Sequence, residues 1–273
     1  MNNTALTLDQ VRAKAPSAFA MEADASRSAR YTYLPTVEVI KGMESAGFMP
    51  FAASQSRSRD AARAEHTKHM IRFRNSELAE VDGLFPEVVL INSHDGSSSY
   101  RLMAGIFRLV CSNGLIIADS MFGEIRVKHT GDIVQQVIDA SFAVIESAPR
   151  TLDTVKEWKS LQLTAGESNA FAEAAHHVRF ADAEGKVETP ITAAQLLQPR
   201  RRDDSSPDMW STLNRVQENV MRGGLSARGP RDERGHRGRR VSTRAINGID
   251  QDVKLNRALW SLAEKMAELK RAA

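Results

Sequence analysis

The sequence lacks most of the features that announce an activity. A single cysteine, Cys111, in 273 residues excludes an intramolecular disulfide framework and any multi-cysteine zinc site, and it reads as a small buried apolar residue. No uninterrupted apolar run is long enough to span a membrane, and Met1 to Gln10 has neither the basic end nor the apolar stretch of a secretory signal, so a cytoplasmic location without a membrane partner is expected. There is no P-loop glycine pattern, no G-x-G-x-x-G after a strand and no G-x-S-x-G elbow. Nucleotide hydrolysis and dinucleotide binding therefore lose their usual support, and no cofactor is implied. Net charge is scarce too: the chain carries only +3 at a pI near 9.1, which makes basicity a local property.

That local property is concentrated between Arg222 and Arg244. Arg222, Arg228, Arg231, Arg234, Arg237, Arg239, Arg240 and Arg244 stand among glycines with no lysine and with only Asp232 and Glu233 as acids. A guanidinium is a planar, permanently charged fork that matches two phosphate oxygens or stacks on a base, so the run suggests a flexible arm for a polyanion. A solvated loop is the alternative.

The apolar fraction of 42% is that of a chain with a real core. Residues 1–30 read as an N-terminal extension with a short helix ended by Pro16. From Tyr31 the pattern becomes regular, with Thr36 as a helix N-cap, Val37, Ile40 and Met43 at helical spacing, and Gly47 as a stop. Strands are predicted over Phe48 to Ser54, Lys68 to Arg74, Glu87 to Asn92, Tyr100 to Val110, Leu115 to Ala118 and Glu124 to His129, with Asn113-Gly114 as a tight hairpin turn. Helices follow over Asp132 to Ser147, Leu152 to Leu161, Glu167 to Val178 and Thr192 to Leu197. A further helix is capped by Ser206 with Pro207 first and runs to Gly223-Gly224. A last helix opens at Asp250 and Asp252, and its Leu255, Leu259, Leu262, Met266 and Leu269 form a seam that packs on its own domain or joins copies in a homo-oligomer through 250–271. The fold class is α+β: a largely antiparallel sheet of about six strands covered by helices, with a C-terminal helical segment. The segments expected are an extension (1–30), an α+β core (31–200), a helix (201–224), an Arg/Gly-rich flexible arm (225–247) and a C-terminal helix (248–273).

Strand periodicity places Lys68, Arg72 and Arg74 on one face and His69, Ile71 and Phe73 on the other. Arg126 and Lys128 share a face in the same way, and Arg57 and Arg59 follow the first strand. If these faces coincide, a basic sheet surface could track a phosphate backbone; otherwise they are ordinary solvated faces. Candidates for catalysis are weak. His94 and Asp95, in Asn92-Ser93-His94-Asp95-Gly96, could serve as base or metal ligand, but the same residues make an ordinary turn. His66 with His69, and His176 with His177, lack the spacing and further ligands of a metal site. Arg200-Arg201-Arg202 before Asp203-Asp204 fits a salt-bridged loop or an added phosphate contact equally.

Several stretches carry a resemblance. Tyr31-Thr32-Tyr33-Leu34-Pro35-Thr36, Glu65-His66-Thr67-Lys68-His69-Met70, Asn92-Ser93-His94-Asp95-Gly96-Ser97 and Phe107 to Leu115 come first. Phe122 to His129, Pro199 to Arg202, Gln217 to Leu225, Thr243 to Asp250 and Leu255 to Trp260 follow in order. Together they resemble the domain of unknown function 932 family of prophage and plasmid proteins over nearly the whole chain. What the resemblance implies is mobile-element biology: DNA maintenance, recombination or the countering of a host defence. The expectation is a non-enzymatic nucleic-acid-binding protein, for single-stranded DNA in annealing or recombination, acting through the arm (Arg228, Arg231, Arg234, Arg237, Arg239, Arg240, Arg244) and the basic sheet face. A metal-dependent nuclease or hydrolase using His94 and Asp95, and an inhibitor that binds a host protein, are the alternatives.

Overall fold

The computed structural model describes residues 4–22, 33–58, 64–75, 77–78, 80–96, 98–108, 113–116, 124–127, 131–231 and 233–272. The expected positions Arg59, Cys111 and Lys128 lie outside these residues. The chain divides into two units, Met1–Arg150 and Thr151–Ala273, a boundary fifty residues earlier than the end of the core expected from sequence.

The first unit is a sheet of β1 (Phe48–Gln55), β2 (His69–Asn75), β3 (Leu84–Asn92), β4 (Tyr100–Arg108), β5 (Asn113–Ile116) and β6 (Ile125–Val127). Every pairing is antiparallel in the order β1-β2-β3-β4-β5, with β6 also on β4. The α+β expectation holds. The hairpin between β4 and β5 is present, but Arg108 pairs with Asn113 and Phe107 with Gly114. Asn113-Gly114 thus opens the strand, and residues 109–112 between β4 and β5 lie outside the described residues.

One face of the sheet packs on α1 (Leu8–Lys14), α2 (Thr36–Ser45) and α3 (Ile133–Glu146). Ile71, Phe73, Val88, Leu90 and Leu102 meet Val39, Ile40 and Met43 of α2 and Val137, Ala140 and Val144 of α3. The helices approach so closely that a Cβ on Gly42 would stand 2.4 Å from Val134 Cγ1. Val11, Ala15 and Ala18 are buried in the same core, so this part of the expected N-terminal extension belongs to the domain. Gly47 ends α2 at φ +85°, as its position predicts. Thr36, the expected cap, is instead the first helical residue after Pro35.

In the second unit, α4 (Ala148–Ser160, entering the unit at Thr151), α5 (Ala165–Phe180), α6 (Ala193–Leu196) and α8 (Ile249–Ala272) accompany α7 (Met209–Arg222). Every residue of α7 from Met209 to Val220 is buried, so the helix expected as a separate segment is the unit's centre. Its cap is Asp208, whose carboxylate accepts from Ser211 N at 2.7 Å, not Ser206. The shift has a cause: Leu163 N–H donates to Pro207 O and Met209 N–H to Leu161 O, which keeps 207–208 extended against 161–163. Trp158 and Trp260 pack with ring centres 4.6 Å apart. Of the five seam residues of α8, Leu255 and Leu259 are buried and Leu269 alone is exposed, at 68%. The seam is thus largely spent on its own unit.

Within the arm, β7 (Ser226–Arg228) and β8 (Arg240–Ser242) pair as a short two-stranded antiparallel ribbon, and the described residues between them are irregular.

Candidate nucleic-acid interface

The basic sheet face expected from β2 is interior. Arg72 and Arg74 are only 5% and 6% exposed. Glu87 on the neighbouring strand takes Arg72 Nε on one carboxylate oxygen at 2.5 Å and Arg74 Nε on the other at 2.9 Å. Arg72 Nη2 also donates to Leu115 O at 3.0 Å. Gly105 makes room for it, since a Cβ there would lie 2.9 Å from that nitrogen. The Arg74 guanidinium sits 4.1, 4.4 and 4.3 Å from the ring centres of Phe51, Phe85 and Phe107. Burial lowers its pKa and the Glu87 carboxylate works against that. The alternation was read correctly, but the face it defines is covered. These cations and the aromatic rings around them are occupied with one another and are not a surface for phosphate or bases.

Among the described residues, Arg57 and Lys68 lie near one edge of the sheet and Arg126 at another. Arg57 is exposed just beyond β1 and next to Ser56, whose N–H donates to Lys68 O at 2.8 Å. Arg126 lies on β6, at the other edge of the sheet. Its side chain is 70% exposed and bonds Glu124 at 2.5 Å. Burial pushes the Glu124 carboxyl up, and the guanidiniums of Arg101 and Arg126 more than reverse this, so its pKa falls.

His94 is also interior, and it belongs to a polar centre that sequence spacing did not show. Thr36 Oγ1 lies 3.0 Å from His69 Nε2, 3.1 Å from His94 Nε2, 3.1 Å from Asn92 Nδ2 and 3.3 Å from the Tyr100 hydroxyl. His69 Nδ1 is 3.0 Å from Ser17 Oγ. One hydroxyl supplies a single proton and about two acceptor positions, so this oxygen is the hub of the network. Burial, and then the neighbouring His94 ring, hold His69 down to about 3, which makes it neutral. Thr36, His69, Asn92 and His94 are all fully buried. The centre ties the N-terminal turn, α2, β2 and the β3–β4 connection together. Among the described residues no group of three or more His, Cys, Asp or Glu is placed to hold a metal ion.

The second unit presents its arginines differently. Arg228, Arg231, Arg234, Arg237, Arg239, Arg240 and Arg244 are all exposed. Arg228 and Arg240 are directly opposite each other in the ribbon, which puts two guanidiniums on one face. Like charges opposite each other destabilise a strand pair, so this arrangement does not serve the ribbon's own stability. Arg240 Nη2 donates to Ser226 Oγ at 3.1 Å on that face. The side chains of Arg228, Arg237 and Arg239 make no hydrogen bond or ion pair with a described residue. The root of the ribbon is fixed. Gly223, at φ +67°, approaches so closely that a Cβ would meet Arg244 C at 2.5 Å. Gly224 N–H donates to Thr243 O, Thr243 N–H to Leu225 O and Ile246 N–H to Met221 O. Behind it, Arg200 Nε bonds Asn219 Oδ1 at 2.7 Å, and Arg201 and Arg222 both pair with the buried Glu218. The Arg200-Arg201 pair is thus structural, holding α7 where the ribbon leaves it.

Two sets of stretches that carried the resemblance therefore meet in space, one at the Thr36 centre and one at the root of the ribbon. The model of a family described as a domain of unknown function, DUF932, matches residues 24–260. The chain belongs to that family. It is 45% identical over 262 residues to two proteins of Escherichia coli (strain K12), the UPF0380 protein YafZ and the UPF0380 protein YfjQ, covering 96% of this chain and 91% of each relative. No solved structure matches it significantly. Among the described residues no helix is long and apolar enough to cross a membrane.

Proposed function

We propose that this protein binds nucleic acid through the arginine ribbon, without catalysing a reaction, in the maintenance or recombination of a plasmid or phage. The observation that carries the reading is the cross-strand pair Arg228 and Arg240 on an exposed ribbon with an anchored root. Such a pair costs stability when nothing anionic lies against it, and a phosphate backbone reverses that sign while releasing counterions. The mobile-element setting rests on the family resemblance alone. The sheet face adds no support for single-strand binding, because Arg72 and Arg74 are internal.

The test is fluorescence anisotropy of labelled DNA and RNA with the whole protein and with a variant in which Arg228, Arg231, Arg234, Arg237, Arg239, Arg240 and Arg244 are changed to Gln, across a salt series. The expected result is affinity that falls steeply with salt and is largely lost in the variant. Absence of binding even at low salt removes the proposal and turns attention to an acidic protein partner.

A further inference from the structure

Granted the nucleic-acid reading, on which this rests, the shape of the ribbon selects the form of nucleic acid. We infer that the ribbon enters the major groove of B-form DNA, with the Ser226, Arg228, Arg240 and Ser242 face turned to the base edges and the tip arginines on phosphates.

Three observations converge. First, single-strand sites rely on aromatic platforms for unstacked bases, and residues 225–247 contain no Phe, Tyr or Trp. The aromatic rings nearest the sheet arginines, Phe51, Phe85 and Phe107, are already stacked on Arg74. Second, the hydrogen-bonded ladder runs from Gly224 N–H on Thr243 O to Gly229 N–H on Arg239 O, a length of roughly 17 Å at strand rise. A two-stranded ribbon is one of the two elements that the major groove of B-DNA, about 12 Å wide, admits. The deep, narrow major groove of an RNA duplex admits neither. Third, the ribbon is held in advance of binding by its Gly223 contact with Arg244 and Ala245 and by the Gly238 approach to Gly229 O and Pro230 O, where a Cβ would stand 2.3 Å away. A rigid projection loses little conformational freedom when it docks.

The chemistry of the face follows. Side chains directly opposite on an antiparallel pair start about 5 Å apart, more than the roughly 3.4 Å rise between neighbouring base pairs, a difference that the long arginine side chains span. A guanidinium fork matches O6 and N7 of guanine. Arg228 and Arg240 are therefore placed for guanines in adjacent pairs, with the Ser226 hydroxyl already orienting Arg240. Arg231, Arg234 and Arg237, exposed in the connection beyond the ladder, meet the phosphate backbone.

The experiment compares a short DNA duplex containing a central guanine pair, its separate strands, an RNA duplex of the same sequence and a DNA duplex without guanine at the centre. The probes are titrated with the whole protein, with Arg228→Lys/Arg240→Lys, and with Arg231→Gln, each checked for folding by circular dichroism. The guanine-containing duplex is expected to bind best, by about tenfold or more over the duplex lacking the guanines. The lysine pair keeps the charge but loses the fork, so it should retain the salt dependence and lose the guanine preference. Arg231→Gln should leave the preference intact and reduce the salt slope by about one. Equal or tighter binding of the single strands or of the RNA duplex overturns the groove inference while leaving nucleic-acid binding in place. Failure of every probe at low salt overturns both.

Discussion

Arg72 and Arg74 in the first unit and Arg228 and Arg240 in the second are the same side chain, each pair sharing one face of an antiparallel strand pairing or strand. Their surroundings are opposite. The first pair shares the two oxygens of Glu87, and Arg74 is enclosed by three phenylalanines. The second pair is exposed, with Arg228 directly opposite Arg240 in the ribbon and the Ser226 and Ser242 side chains beside them on the same face. Arginine count therefore carries no functional information until its partners are known. A guanidinium that has its carboxylate is part of the fold, and one held beside another guanidinium is available to an anion from outside.

The comparison can be broken most forcefully from the inside. Glu87→Ala leaves two buried guanidiniums without their counter-charge, and the first unit should lose about 3–5 kcal/mol, read as a lower urea midpoint for that unit. A loss smaller than that of an ordinary surface change would mean that Arg72 and Arg74 can reach water, and the sheet face would return as a binding surface.

A smaller effect sharpens the contrast between buried and exposed groups. His69 is held at about 3 in the folded protein against 6.5 when free. Below 6.5 the unfolded chain gains a proton that the folded chain refuses. Stability contributed by the neutral ring is thus full above 6.5 and is lost as pH falls towards about 3, with a limiting slope of about 1.4 kcal/mol per pH unit. Urea unfolding at about pH 7 and about pH 5 should show the decline, and His69→Gln should flatten it. An identical slope in the variant would place the titration elsewhere.

The smallest effect on stability is expected at the ribbon. Arg228→Ala/Arg240→Ala removes a like-charge pair together with one exposed bond from Arg240 to Ser226 Oγ, so stability, read from the thermal midpoint, should change by no more than about 0.5 kcal/mol in either direction. The same variant should lose affinity for nucleic acid. A marked drop in midpoint would show that these arginines stabilise the second unit and would weaken the functional reading.

Much of the fold was legible before any tertiary structure. The six strand positions follow from short β-branched and aromatic runs between turn residues, and Gly47 stops α2 for the conformational reason that placed it there. Other positions were not legible, each for an identifiable reason. Ser206-Pro207 has the form of a helix start, but pairing with 161–163 moved the cap to Asp208. Asn113-Gly114 has the form of a tight turn, yet strand pairing with Arg108 and Phe107 placed it in β5. Thr36 looked like a cap because its hydroxyl suits one; that hydroxyl instead joins residues 17 to 100 of the chain in a network with no sequence spacing to reveal it.

By itself, then, the sequence determined which face of each strand a side chain takes, where most elements begin and end, and that the positive charge is gathered in one arginine-only stretch. These depend on backbone geometry and near neighbours, which the order of residues specifies directly. Tertiary structure alone decided which faces are covered, that Glu87 neutralises Arg72 and Arg74, and that the arm is an anchored ribbon with Arg228 set against Arg240. Burial and ion pairing depend on groups brought together from distant parts of the chain, and the local pattern of residues does not encode that proximity.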